Sequence, residues 1–162
     1  MHRFLLLSYA VLGIILAIHS TVTHALSPGI YMIRSVAYNG QVLDLKREAN
    51  TVIGWADNEG RNQRWNLAYS EMNSKLFFTI QNVETSQYIA FKQGKVIVET
   101  PVAPAKPSSW FITTEQDGKT SIRKILDYTY AFQLSGALND AAITFEKQSF
   151  EDNQAWYFVE TT

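Results

Sequence analysis

Residues 62–65 read NQRW, and the signature returns as NQAW at 153–156, with PSSW at 107–110 between them. Their tryptophans, Trp65, Trp110 and Trp156, follow one another at intervals of 45 and 46 residues. Upstream of each lies a matching pair of short apolar runs. These are YMIRSV (31–36) with QVLDL (41–45), FTIQNV (78–83) with QYIAF (87–91), and SIRKIL (121–126) with AFQL (131–134). Three diverged copies of one unit, at roughly 28–72, 73–117 and 118–162, account for the chain from there to its end. A period of this length marks a repeat architecture in which each unit leans on its neighbours to bury an apolar face.

Within each copy the texture is that of β structure. Runs of four to six residues rich in Ile, Val, Phe, Tyr and Thr are broken by YNG (38–40), ETS (84–86), GAL (136–138) and DNEG (57–60), which carry turn chemistry. No segment after residue 26 sustains an apolar face at helical spacing for three turns. About four strands per copy predict an all-β fold of about twelve short strands, closed around a shared core with pseudo-threefold symmetry.

The segment before the repeats has a different character. His2 and Arg3 precede the apolar run FLLLSYAVLGIILAI (4–18), and a polar stretch then ends in THA (23–25). This is the layout of a secretory signal peptide covering 1–25, leaving a secreted, extracellular domain over 26–162. The run falls short of the roughly 20 residues that span a bilayer. An uncleaved anchor is the less favoured alternative, and no membrane insertion is expected of the domain.

Cleavage there would remove all three histidines, His2, His19 and His24, and the chain holds no cysteine. That excludes Ser-His-Asp and Cys-His nucleophiles, Cys/His zinc sites and disulfides, so an enzyme is not expected and no cofactor or metal is implied. Taking Arg3 from 14 basic residues leaves 13 against 15 acidic ones, a balance that offers nothing to nucleic acid. Acidic positions Asp57, Glu59, Glu151 and Asp152 match neither an EF-hand loop nor a glycosidase pair and read as loop charges.

GIYMIRS (29–35), GQVLDL (40–45), VIGW (52–55) and the two Asn-Gln-x-Trp motifs together resemble the ricin B-type lectins, especially their fungal members. The resemblance covers essentially all of 28–162. It implies a β-trefoil in which each repeat can hold one sugar site and lose it independently, with glycans or glycoproteins as partners. In such a repeat an Asp accepts hydrogen bonds from sugar hydroxyls, an aromatic stacks on the pyranose, an Asn adds a polar contact, and the motif Trp is core. Carried over by position, the first repeat supplies Asp44, Trp55, Asn62 and Gln63, and implies binding of galactose or N-acetylgalactosamine. Ile53 stands where many members have Gln.

The second repeat offers Ala90, Glu99, Ser108 and Ser109 at those positions and reads as purely structural. The third offers Gln133, Phe145, Asn153 and Gln154, a weaker second site. Structural roles compete throughout. Asp44 could cap a turn, Trp55 could pack on its own hairpin, and Gln63 and Gln154 could serve the backbone. The alternative function is protease inhibition by the loop ETPVAPAKPSS (99–109), where Pro101, Pro104 and Pro107 would stiffen the chain around Lys106.

Overall fold

A computed structural model describes residues 26–70, 77–115, 117–125 and 127–161. The expected signal peptide at 1–25 lies outside the described residues. Among the described residues four strands fall in each sequence repeat. The first holds β1 (Gly29–Ser35), β2 (Gln41–Lys46), β3 (Thr51–Ala56) and β4 (Arg64–Tyr69). The second holds β5 (Phe77–Asn82), β6 (Tyr88–Lys92), β7 (Lys95–Glu99) and β8 (Trp110–Thr114). The third holds β9 (Thr120–Lys124), β10 (Asp127–Leu134), β11 (Ala141–Lys147) and β12 (Trp156–Glu160).

The outer strands of each repeat form a ring. Antiparallel pairing runs β1–β4, β4–β5, β5–β8, β8–β9, β9–β12 and back from β12 to β1, a closed six-stranded barrel. Closure leaves no free edge among these strands. The inner strands make three hairpins, β2–β3, β6–β7 and β10–β11, which meet where β3 pairs with both β7 and β11. A barrel capped by three hairpins has the pseudo-threefold closure predicted from the repeats, and it is the β-trefoil that the family resemblance implied.

Period-two burial explains why these segments are strands. In β5, Phe78 and Ile80 point inward while Phe77, Thr79 and Gln81 stand outside. The inward Asn82 is fully buried and its amide is used on both sides. Nδ2 donates to Asn62 O (3.0 Å), and Oδ1 accepts from the Glu84 and Thr85 amides.

The three motif tryptophans fill the core with Phe78, Phe132 and the aliphatic side chains of every repeat. Each ring removes about 150–250 Å² of mostly apolar surface from water, worth roughly 4–6 kcal/mol in transfer terms. Trp65 Nε1 donates to Leu43 O (3.0 Å) and Trp110 Nε1 to Ile89 O (3.2 Å), the same bond one repeat apart. Trp156 Nε1 is buried without a partner among the described residues. Gly54 lets β3 approach the third repeat, since a Cβ there would sit 2.4 Å from Leu134 Cδ1.

Candidate functional site

Pairing across the β2–β3 hairpin sets Asp44 opposite Ile53 and Val42 opposite Trp55. Strand alternation therefore places Asp44 and Trp55 on one face, with Leu43 and Leu45 on the other, packed in the core. Asp44 is only 5% exposed, so its charge needs partners. They come from the 3₁₀ turn Arg61–Gln63, which brings two amides to the same carboxylate oxygen. Asn62 Nδ2 donates to Asp44 Oδ2 at 2.9 Å and Gln63 Nε2 at 2.8 Å.

Gln63 also ties the turn down. Its Nε2 donates to Ala56 O (2.9 Å), and its Oε1 accepts from Asn58 N (2.9 Å). Gly60 permits this geometry, because a Cβ there would fall 2.4 Å from Asn62 Oδ1 and 2.7 Å from Asn58 Oδ1. Burial raises the Asp44 pKa above the ordinary carboxylate value, outweighing the Gln63 and Asn62 amides and the nearby Arg47. Asp44 thus braces the 61–63 turn through its side chain, and the half-buried Trp55 lines a shared cleft beside it.

That open cleft, of about 400 Å³, is lined by Asp44, Trp55, Asn62 and Ile53 together with residues the motif comparison does not reach: Lys46, Arg47, Glu48, Asn58 and Asp140. Asp140 comes from the third repeat, where it holds a left-handed φ of 69° in the β10–β11 turn. Lys46 Nζ donates to both its carboxylate oxygens, at 2.8 and 2.7 Å. The neighbouring Asn139 Oδ1 accepts from Ala56 N (2.7 Å) and Gln41 Nε2 (3.3 Å), locking this turn against β3. Among the described residues no group of three or more Asp, Glu, His or Cys is placed to hold a metal ion.

The family described as ricin-type beta-trefoil lectin domain-like matches residues 21–103, half of the chain. The chain belongs to this ricin-type β-trefoil lectin family. No curated protein sequence gives a significant match. Solved structures share the trefoil fold at low identity. A mosquitocidal holotoxin superposes with a TM-score of 0.74 at 20% identity over 84% of this chain, which spans only 17% of that protein's length. The Rhizoctonia solani agglutinin does so at 0.70 and 21% identity, covering 84% of this chain and 97% of its own. The Macrolepiota procera ricin B-like lectin, solved in complex with lactose, matches at 0.70 and 20% identity over 84% and 99%.

Within this ricin-type trefoil the other two repeats depart from the first in different ways. In the second, Ala90 pairs with Ile97 and Tyr88 with Glu99, so Ala90 and Glu99 take the positions of Asp44 and Trp55. Glu99 forms an ion pair with Lys92. In the third, Gln154 repeats all three bonds of Gln63. Its Nε2 donates to Gln133 Oε1 (3.0 Å) and Lys147 O (2.9 Å), and its Oε1 accepts from Ser149 N (2.8 Å). Asn153 stands in the place of Asn62, but its Oδ1 is buried without a partner among the described residues.

Phe145 is not brought to the Trp55 position. Asp44 pairs with Ile53 nine positions on, whereas Gln133 pairs with Thr144 eleven positions on, so the third hairpin carries two more residues. The equivalent of Trp55 is Glu146, opposite Ala131. Phe145 lies on the inward face instead, packed against Phe91, Tyr130, Phe132 and Trp110. Asp57 and Asp152, read as loop charges, are ion-paired to Arg34 (2.7 Å) and Lys119 (3.0 Å). In the 99–109 loop Ala105 N donates to Val102 O (2.9 Å), and Lys106 lies along a separate cavity of about 290 Å³ with Tyr69 and Tyr88.

Proposed function

We propose that this protein is a secreted lectin whose first repeat binds a terminal galactose-type sugar, and that it acts by binding, without catalysis. The observation that carries the reading is the Asp44 carboxylate in a cleft shared with Trp55, with both amides on one of its oxygens. Crowding the two donors onto Oδ2 leaves Oδ1 as the acceptor for sugar hydroxyls, and bonds to a carboxylate are about twice as strong as neutral ones. Trp55 offers a flat apolar surface to the C–H face of a pyranose. Family membership and the lactose complex of the Macrolepiota procera lectin support a galactoside as the first ligand to try.

The third repeat keeps Gln133, Asn153 and Gln154 but has Glu146 in place of a stacking ring, so it contributes at most a weak polar contact. The protease-inhibitor reading of 99–109 gains no comparable constellation. A glycan array with purified 26–162 tests the lectin reading. Asp44→Ala should abolish binding, and Trp55→Ala should weaken it about tenfold or more, the usual cost of truncating a central Trp. Binding that survives both substitutions would place the site elsewhere.

A further inference from the structure

Both cations that line the first-repeat cleft are matched by a carboxylate from another repeat. Lys46 from β2 is held by Asp140 of the third repeat, through two hydrogen bonds of 2.8 and 2.7 Å. Arg47, the next residue, lies 2.7 Å from Glu84 Oε1 in the β5–β6 turn of the second repeat. Neither acid is near these cations in sequence. The barrel brings one in from each side, and the Asn139 bonds to Ala56 and Gln41 fix the turn that carries Asp140.

In the local sequence DLKRE (44–48) Lys46 and Arg47 stand between Asp44 and Glu48, and either cation left unpaired could take an anionic group of a ligand. The fold occupies both. A sugar bearing a carboxylate or sulfate would have to take Lys46 from Asp140, or Arg47 from Glu84, while approaching the Asp44 carboxylate. A neutral sugar meets neither cost. We infer that Asp140 and Glu84 determine specificity: they hold Lys46 and Arg47 so that the first-repeat cleft accepts uncharged sugars and rejects acidic ones. The inference rests on the lectin reading of this cleft.

The test is a glycan array in which every neutral glycan is paired with its sialylated or sulfated derivative, probed with wild type and variants. The wild type should show Asp44-dependent binding to the neutral members. Asp140→Asn suits the left-handed backbone at that turn and releases Lys46. It should lower the neutral-to-acidic binding ratio about three- to fivefold, the scale of one partly exposed ion pair. Glu84→Gln should move the ratio the same way through Arg47, and Lys46→Gln added to Asp140→Asn should restore it. Absence of Asp44-dependent binding in the wild type would defeat the lectin reading and this inference together. Asp44-dependent binding with an unchanged ratio in both Asp140→Asn and Glu84→Gln would defeat the inference alone.

Discussion

At Asp44 the demands of folding and of binding pull in opposite directions. Burial raises its pKa, so the folded chain holds this proton more tightly than the unfolded chain does. The stability it contributes is complete below the unfolded pKa and is lost as pH rises through the raised folded value. A sugar hydroxyl, by contrast, needs the ionised form. Acidification should therefore weaken binding from a pH above the ordinary Asp value of about 3.9, while this group's effect on the fold turns favourable. Binding titrations across pH check this, and an affinity that stays flat down to the normal carboxylate range would count against it. Asp44→Asn should lose the sugar yet melt no lower than wild type, since one oxygen already accepts both amides. Gly60→Ala makes a separate case. Its Cβ would displace Asn62 Oδ1, a movable side-chain end, so the fold should survive while affinity falls about five- to tenfold with the loss of that amide's geometry.

The β10–β11 hairpin shows what one element adds to another repeat. Its two extra residues extend the turn that places Asn139 and Asp140 against the first repeat, while strand alternation sets Phe145 inward, opposite Phe132. Asn139→Ala should cost about 1–2 kcal/mol in urea unfolding, because the Ala56 amide and the Gln41 side chain both lose an acceptor. Sugar affinity should fall with it, since the Ala56 carbonyl anchors Gln63. An unchanged unfolding midpoint would show that the turn is not a brace. The strands of this hairpin were legible from alternation and turn residues, but its register was not. Taking the nearest aromatic as the platform points to Phe145, whereas the pairing of Gln133 with Thr144 puts Glu146 there, ten residues before Trp156 as Trp55 is before Trp65.

For the whole molecule, threefold repetition builds the core without making the three copies equivalent. Trp65 and Trp110 each spend the indole N–H on a carbonyl of the hairpin in their own repeat, whereas Trp156 Nε1 has no partner among the described residues. Trp65→Phe should therefore destabilise the protein by about 1 kcal/mol more than Trp156→Phe, because it strands the Leu43 carbonyl as well as shrinking the ring. Equal midpoint shifts in denaturant would contradict that difference. A chain ending at residue 117 would lose β12, which closes the barrel on β1, and Asp140, which walls the first cleft. It should neither unfold cooperatively nor retain sugar, even with Asp44, Trp55 and Asn62 all present.

The sequence by itself determined the architecture. Strand alternation, turn chemistry and one tryptophan per repeat are local properties, written at fixed spacing and readable without contacts. It also marked Asp44, Trp55, Asn62 and Gln63 as one group, because a single hairpin and the turn after it carry all four. The tertiary structure alone decided that Asp140 and Glu84 belong beside them and that Phe145, partly buried, packs against the core. Those outcomes depend on hairpin register and on barrel closure, which bring Lys46 to Asp140 across 94 positions. No pattern along the chain encodes such a meeting, since it becomes definite only when the ring of six strands is complete.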